Sequence, residues 1–166
     1  LKAVPPFLKR KGLYFNTAQG NSMGKTLYED IINWEKIKKG EHIPDIARER
    51  VMENINHKEI DFRGDWYEVF NNVSVTKRDY MRAMLLNKED ISKDPRIKVS
   101  TIHGAKGGEA TNVVLYLNQT ANTIKGAKKS QEKQEEEFRV WYVGVTRTIE
   151  NLFLIKAPNK AKGFKL

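Results

Sequence analysis

Apolar positions in the first 40 residues change from a β-type run to a helical spacing. Residues 1–12 contain two prolines and end on a glycine, a pattern that predicts one short helix. Residues 13–17 (LYFNT) are rich in aromatic and β-forming side chains and predict a strand, followed by a loop over 19–23. The pair Thr26 and Glu29 has the spacing of a capping box that opens a helix. Apolar side chains then recur at helical spacing up to Gly40: Leu27, Ile31, Trp34 and Ile37.

Residues 41–95 are mostly polar and predict several short helices. One begins at Pro44, and two more are expected over residues 65–70 and 77–86. The first has three apolar positions: Ile46, Val51 and Ile55. Because each helix has too few apolar positions to form a core of its own, we interpret the stretch as an insertion or a cap and not as a separate domain.

The last third of the chain has a different pattern. Residues 97–101 (IKVST) and 112–117 (NVVLYL) are near-continuous β-branched and apolar runs, as expected of parallel strands buried on both faces. Residues 151–155 (NLFLI) predict a final buried strand. The polar residues 118–134 predict a mobile surface loop. From Glu135 the chain predicts a helix with one apolar face: Phe138, Trp141, Tyr142 and Val145. Alternating strands and helices predict an α/β fold with a mainly parallel sheet flanked by helices.

Composition narrows the possible partners. The chain of 166 residues has 30 lysines and arginines against 21 acids, a net charge of +9. This balance favours a polyanion such as nucleic acid, although charge alone leaves that open. The chain has no cysteine, which excludes disulfides and thiolate metal sites and agrees with the cytoplasmic location that we expect. No apolar run suits a membrane span, so no membrane association is expected, and Leu1 in place of Met suggests a fragment of a longer protein.

Residues 20–26 (GNSMGKT) resemble a nucleotide-binding phosphate loop at first sight. The Walker A pattern requires four residues between its two glycines, and this segment has three. The loop length determines which backbone N–H groups point at the phosphates, so the geometry is unsuitable. The alternative is a turn between strand and helix in which Thr26 caps the helix.

Two other segments carry chemistry suited to phosphate. Residues 99–109 (VSTIHGAKGGE) follow a predicted buried strand, and ligands bind α/β sheets beyond the carboxyl ends of strands. Hydroxyl, imidazole, ammonium and glycine N–H groups there can donate to phosphate oxygens, although a lone histidine near a strand end is more often structural. The second segment is an amphipathic helix that delivers Arg147 at its end. This arginine can cap the helix C-terminus, or it can act as an arginine finger on a γ-phosphate.

Both segments resemble known helicase motifs. STIHGAKGGEATNVVLYL is similar to motif V of the UvrD/Rep/PcrA-type superfamily 1 helicases, and EEEFRVWYVGVTRTIENLFLI is similar to their motif VI. Residues 7–39 also resemble the stretch that precedes the accessory subdomain in this family. The resemblance implies that residues 1–166 form a RecA-like (P-loop NTPase-type) second motor domain, with about 41–95 as a small helical insertion. The N-terminal domain with Walker A and B is then expected to be absent from this chain.

The resemblance also implies roles for individual residues. Arg147 matches the catalytic arginine that reaches the γ-phosphate of ATP. Gly107 and Glu109 match the turn that contacts the nucleotide, with the acid on its sugar. Thr101 and His103 match residues that touch the backbone of single-stranded DNA, and Lys106 lies in the same turn. The implied cofactors are ATP and Mg²⁺, the metal being held mainly by the missing domain. The implied partners are single-stranded DNA and the N-terminal motor domain of the same protein.

The sequence departs from the family pattern at several points. Gly108 stands where the family has a large apolar residue, Ala110 stands where it has an aromatic one, and the Asn-Tyr-Arg run of motif IV is missing. Two functions therefore remain open: the C-terminal half of an ATP-dependent DNA helicase or translocase, inactive by itself, or a non-catalytic module that binds nucleic acid or a partner protein. The retained Arg147 and Glu109 favour the first.

Overall fold

The computed structural model describes residues 4–56 and 60–164 and divides the chain into two compact units. The N-terminal unit is Leu1–Val99 and the C-terminal unit is Ser100–Leu166. Each unit has its own cluster of buried apolar side chains. The assignment of residues 1–166 to one motor domain, with 41–95 as its insertion, stays a prediction.

Within residues 4–56 and 60–99, the N-terminal unit combines five helices with a small sheet. Its elements are α1 (Val4–Arg10), β1 (Phe15–Thr17), β2 (Gly20–Asn21), α2 (Lys25–Lys38), α3 (Asp45–Glu53), α4 (Trp66–Val69), α5 (Val75–Leu86) and β3 (Ile97–Lys98). The strand order is β2-β1-β3, with β1 antiparallel to β2 and parallel to β3. Part of the predicted loop over 19–23 is therefore a strand, because Gly20 at φ 104° lets the chain turn back onto β1.

Helices from the polar middle of the chain complete the core of the N-terminal unit. Trp34 on α2 is fully buried, and its ring packs edge-on against Phe70 with the centroids 6.0 Å apart. Its indole Nε1 donates to the Gly64 carbonyl at 3.1 Å. Val51 and Met81, on α3 and α5, are fully buried in the same cluster. Helices α3, α4 and α5 therefore share one core with α2.

Two local predictions in the N-terminal unit are wrong. Gly24 is the N-cap of α2, and no side chain caps that end, so Thr26 lies inside the first turn and forms no capping box. Ile46 on α3 is 80% exposed and does not belong to the core, whereas Val51 and Ile55 do. The apolar face of α3 therefore begins at Val51.

The described part of the C-terminal unit combines two helices with a parallel pair of strands. Its elements are β4 (Ala110–Leu117), α6 (Ala121–Ala127), α7 (Gln131–Val145) and β5 (Thr148–Lys156), with 3₁₀ turns at His103–Ala105 and Lys160–Lys162. Strand β4 pairs with β5 in parallel, in a register that places Val114 beside Phe153. Among residues 4–56 and 60–164, no helix has the length and apolar character needed to cross a bilayer.

Strand β4 is buried on one face only, so its predicted burial on both faces is wrong. Strand β5 was also predicted to be buried, and none of its side chains is fully buried. Leu115 and Leu117 form the small core of this unit together with Trp141 of α7. The alternate positions point the other way: Val114 is 62% exposed and Phe153 is 53% exposed. The mainly parallel sheet of the prediction is found in part, as the parallel pairs β1–β3 and β4–β5.

The predicted mobile loop over 118–134 is also wrong. Thr120 accepts a hydrogen bond from the Thr123 amide at 3.1 Å and thereby caps α6. Ser130 accepts one from the Lys133 amide at 3.2 Å, so α7 begins before the predicted start at Glu135. The predicted apolar face of α7 fails at two positions, because Phe138 is 49% exposed and Tyr142 is 69% exposed.

Candidate functional site

The predicted site residues lie in two segments of the C-terminal unit. Five of them belong to residues 101–109, here named the glycine turn: Thr101, His103, Lys106, Gly107 and Glu109. The sixth, Arg147, follows the end of α7. The glycine turn leads into β4 and Arg147 leads into β5, and these strands pair with Ala110 beside Thr148. The parallel register therefore brings the two segments together, and the Ala110 amide donates to the Arg147 carbonyl at 3.0 Å.

The half-buried side chain of Arg147 links the end of α7 to the glycine turn. Its Nε donates to the Val143 carbonyl at 3.2 Å, and Nη2 donates to Thr146 Oγ1 at 3.2 Å. Its Nη1 reaches across to the Gly108 carbonyl at 3.4 Å. A guanidinium has five N–H donors. Contacts within the described part of the chain use three of them, which leaves two for a ligand.

Arg147 makes the helix-capping contact that the sequence allowed and a second contact, to the glycine turn. The bond from Nε to the Val143 carbonyl lies on the last turn of α7 and is the helix-capping contact. The bond from Nη1 to the Gly108 carbonyl is not needed for capping, because Gly108 lies outside the helix. The arginine is therefore held at the glycine turn as well as at its own helix.

The glycine turn is organised by Thr101. Its Oγ1 accepts a hydrogen bond from the Gly104 amide at 3.0 Å, and its carbonyl accepts one from the Ala105 amide at 3.0 Å. The Thr101 O–H can still donate to a ligand, since a hydroxyl offers a donor as well as two lone pairs. His103, Lys106 and Glu109 are exposed. The turn thus presents a hydroxyl, an imidazole, an ammonium and a carboxylate to solvent.

Gly107 and Gly108 differ in whether the backbone conformation requires a glycine at their position. Gly107 has φ 80°, in the left-handed region, and a Cβ there would meet nothing within 4 Å. Gly108 has no such conformation, and a Cβ there would lie 3.5 Å from the Ala105 carbonyl, an ordinary contact. Glycine is therefore required at 107 for conformational reasons, whereas position 108 has room for a side chain.

This difference predicts unequal effects of alanine at neighbouring positions. Gly107→Ala should destabilise the C-terminal unit by about 1–2 kcal/mol, the cost of a left-handed non-glycine residue. Gly108→Ala is the matched control and should change stability by less than about 1 kcal/mol. Hydrogen exchange of the β4 and β5 amides reports on this unit alone. Equal exchange rates in the two variants would contradict the conformational requirement at Gly107.

Sequence reasoning overlooked Gly144, which sets how closely α7 approaches β4. Gly144 is buried, and a Cβ there would lie 3.2 Å from Leu115 Cδ1 and 3.3 Å from Ile102 Cδ1. The bare backbone thus permits a close approach of the helix that ends just before Arg147. A glycine on the core-facing side of an amphipathic helix was the signal that could have identified it.

Three comparisons with known proteins bear on this site. A Mycoplasma pneumoniae protein described as "Probable DNA helicase II homolog" is 33% identical over 89 residues, which are 51% of this chain and 12% of that protein. No solved structure matches the chain. The profile of the UvrD-like helicase C-terminal domain matches residues 22–159, which include the glycine turn and Arg147. Because that match covers well over half of the sequence, the chain belongs to the UvrD-like helicase C-terminal domain family.

Proposed function

We propose that this chain is the C-terminal half of the motor of an ATP-dependent superfamily 1 DNA helicase or translocase. The observation that carries the proposal is the hydrogen bond from Arg147 Nη1 to the Gly108 carbonyl, at 3.4 Å. It joins the arginine of the segment that resembles motif VI to the turn that resembles motif V. In this proposal ATP lies between the chain and the N-terminal motor domain of the same protein. That domain carries the Walker A and B motifs and supplies most of the ligands of Mg²⁺.

Arg147 has the chemistry of a finger on the γ-phosphate. Its guanidinium is always charged, and its planar fork of donors matches phosphate oxygens. Two of its donors are free of contacts within the described residues, which supports a role toward a ligand. ATP, when bound, supplies the phosphoryl group that is transferred to water. Arg147 stabilises the negative charge on that group, which is catalysis by fixed electrostatics.

The glycine turn supplies contacts to the nucleotide and to DNA. Gly107 gives the turn its shape, and the exposed carboxylate of Glu109 can accept hydrogen bonds from sugar hydroxyls. Thr101, His103 and Lys106 offer donors of the kinds that bind the phosphates of single-stranded DNA. Cycles of ATP binding and hydrolysis would close and open the two motor domains on the strand.

The purified 166-residue chain should show no ATP hydrolysis above background, because its one phosphate-loop-like segment is unsuitable. That segment is one residue short, and Lys25 Nζ donates to the Ser92 carbonyl at 2.7 Å. The complete protein, with its Walker A and B domain, should hydrolyse ATP when single-stranded DNA is present. Steady-state assays of both proteins are the measurement. Robust turnover by the chain alone, abolished by Lys25→Ala, would overturn the assignment.

A non-catalytic binding module is the second candidate, and the capping bond from Arg147 Nε to the Val143 carbonyl favours it. An arginine that only ends a helix has no part in ATP hydrolysis. A phosphate-loop domain encoded immediately upstream would support the motor instead. The Arg147 variants described in the Discussion separate the two candidates directly.

A further inference from the structure

The N-terminal unit contains a cleft that the proposed function does not use. Its volume is about 520 Å³, and its walls come from α1, from the segment between β2 and α2, and from the start of α5. Three basic side chains line it: Lys9, Arg10 and Lys77. They come from two elements that are far apart in sequence, so the fold gathers this charge in one place.

The basic side chains of this cleft have no acidic partner within 4 Å among the described residues. Lys9 Nζ lies over the ring of Tyr80, 5.7 Å from its centroid. Asp79 also lines the cleft, but its Oδ1 accepts a hydrogen bond from the Tyr67 hydroxyl at 2.6 Å. Three cations against one carboxylate leave the cleft positively charged, and such a cleft concentrates anions.

Neutral donors accompany the charges. Ser74 and Thr76 line the cleft, both are exposed, and the Ser74 hydroxyl makes no capping bond to α5. The Ser22 hydroxyl is already engaged, 2.6 Å from the Tyr80 hydroxyl. Serine and threonine hydroxyls beside lysine and arginine are the side chains that contact phosphate oxygens in nucleic-acid complexes. The cleft thus has both the charge and the free donors of a phosphate-binding site.

We propose that this cleft binds a backbone phosphate of single-stranded nucleic acid, in addition to the contacts made by the glycine turn. The inference rests on the proposed function for the choice of nucleic acid as the source of the phosphate. It assigns Arg10 and Lys77 as the charged contacts and the Ser74 and Thr76 hydroxyls as the neutral ones. The cleft does not act as a Walker-type loop. The lysine of the loop-like segment, Lys25, donates a hydrogen bond from Nζ to the Ser92 carbonyl.

The test is a titration of labelled single-stranded DNA with the 166-residue chain at several salt concentrations. The variant Arg10→Ala/Lys77→Ala removes two cleft cations. The matched control Lys36→Ala/Arg48→Ala also removes one lysine and one arginine, both exposed and outside the cleft. For single strands, log K falls by about 0.7 per unit of log salt for each phosphate neutralised, so the cleft variant, which no longer neutralises its one phosphate, should lose about 0.7 from the slope. A cleft variant with the slope of the control overturns the inference.

A third variant separates this inference from the proposed function. His103→Ala/Lys106→Ala alters the glycine turn and should also weaken DNA binding relative to the control. If only the turn variant binds more weakly, the cleft inference fails while the proposed DNA contacts stand. If only the cleft variant binds more weakly, the cleft inference stands and the proposed DNA contacts of the glycine turn fail. A wild-type chain that binds no single-stranded DNA at low salt overturns the cleft inference, while the Arg147 variants still test the motor.

A titration with inorganic phosphate distinguishes the two possible ligands of the cleft, which are a backbone phosphate of single-stranded nucleic acid and free phosphate. Single-stranded DNA should shift the amide resonances of Ser74 and Lys77 at concentrations where free phosphate does not, because a polyanion engages several cations at once. Shifts caused by free phosphate and absent with DNA would overturn nucleic acid as the ligand.

Discussion

Arg147→Ala in the complete protein should lower DNA-stimulated ATP hydrolysis by roughly 10³- to 10⁵-fold, the contribution of an arginine finger. The fold should persist, because the backbone bond between the Ala110 amide and the Arg147 carbonyl does not involve the side chain. ATP binding should also largely persist, since the phosphate loop of the proposed motor lies in the other domain. Steady-state ATPase rates with a melting curve for each variant are the measurement.

The capping alternative predicts a much smaller effect of the same substitution. A cation at a helix end contributes about 0.3–1 kcal/mol to stability, so turnover would stay near normal and the melting temperature would fall slightly. Arg147→Lys should rescue poorly if Arg147 is a finger, because an ammonium lacks the fork of donors, but adequately if it is a cap. Arg139→Ala is the matched control, since Arg139 lies on α7 with an exposed ion pair to Glu135 at 3.6 Å.

Arg50→Ala should destabilise the N-terminal unit by about 3 kcal/mol, because it leaves a buried carboxylate without its cation. Asp30 is 2% exposed. Arg50 Nε donates to its Oδ1 at 2.5 Å, and Asn54 Nδ2 donates to its Oδ2 at 2.9 Å. The hydrogen bond to Asp30 raises the pKa of Arg50, so the guanidinium stays charged. We expect the lower end of the range for buried pairs because the Arg50 side chain is 35% exposed.

Urea unfolding of the Arg50 variants provides the measurement. Arg48→Ala is the control on the same helix, because Arg48 is exposed, and it should unfold within about 0.5 kcal/mol of wild type. Asp30→Asn combined with Arg50→Ala should recover part of the loss, since no buried charge then remains unpaired. Arg50→Ala unfolding at the same urea concentration as Arg48→Ala would show that this ion pair does not stabilise the core.

Side-chain spacing predicted the helices better than their ends. Leu27, Ile31 and Trp34 recur at helical spacing, and all three are buried on α2. The predicted capping box failed because residue types do not determine backbone angles. Gly24 takes an extended conformation with φ −71° and ψ 148°, so the helix starts before Thr26 can cap it.

Burial of the strands was predictable only in part. The run NLFLI indicates a strand, and β5 is one, but the run cannot show how many layers cover it. In the structure Leu152 packs against the core of the C-terminal unit while Phe153 is 53% exposed. Helix α6 was missed because it lies in a polar stretch, in which the capping residue Thr120 does not stand out from its polar neighbours.

The candidate site was predictable as two segments but not as one arrangement. The glycine turn and Arg147 were recognised from their residues. The bond from Arg147 Nη1 to the Gly108 carbonyl depends on the β4–β5 register that places Ala110 beside Thr148. Register is determined by pairing between strands, which the spacing of residues within one strand does not reveal.

Binding of a transition-state analogue is the sharpest test of the proposed stabilisation of the transferring phosphoryl group by Arg147. ADP with aluminium fluoride mimics that group, and such analogues bind far more tightly than substrates because they match the transition state. In the complete protein with single-stranded DNA, Arg147→Ala should weaken binding of this analogue by about the factor lost from the ATPase rate, roughly 10³ or more. Binding of a non-hydrolysable ATP should change only slightly. Equal affinity of wild type and Arg147→Ala for the aluminium fluoride complex would contradict the claim.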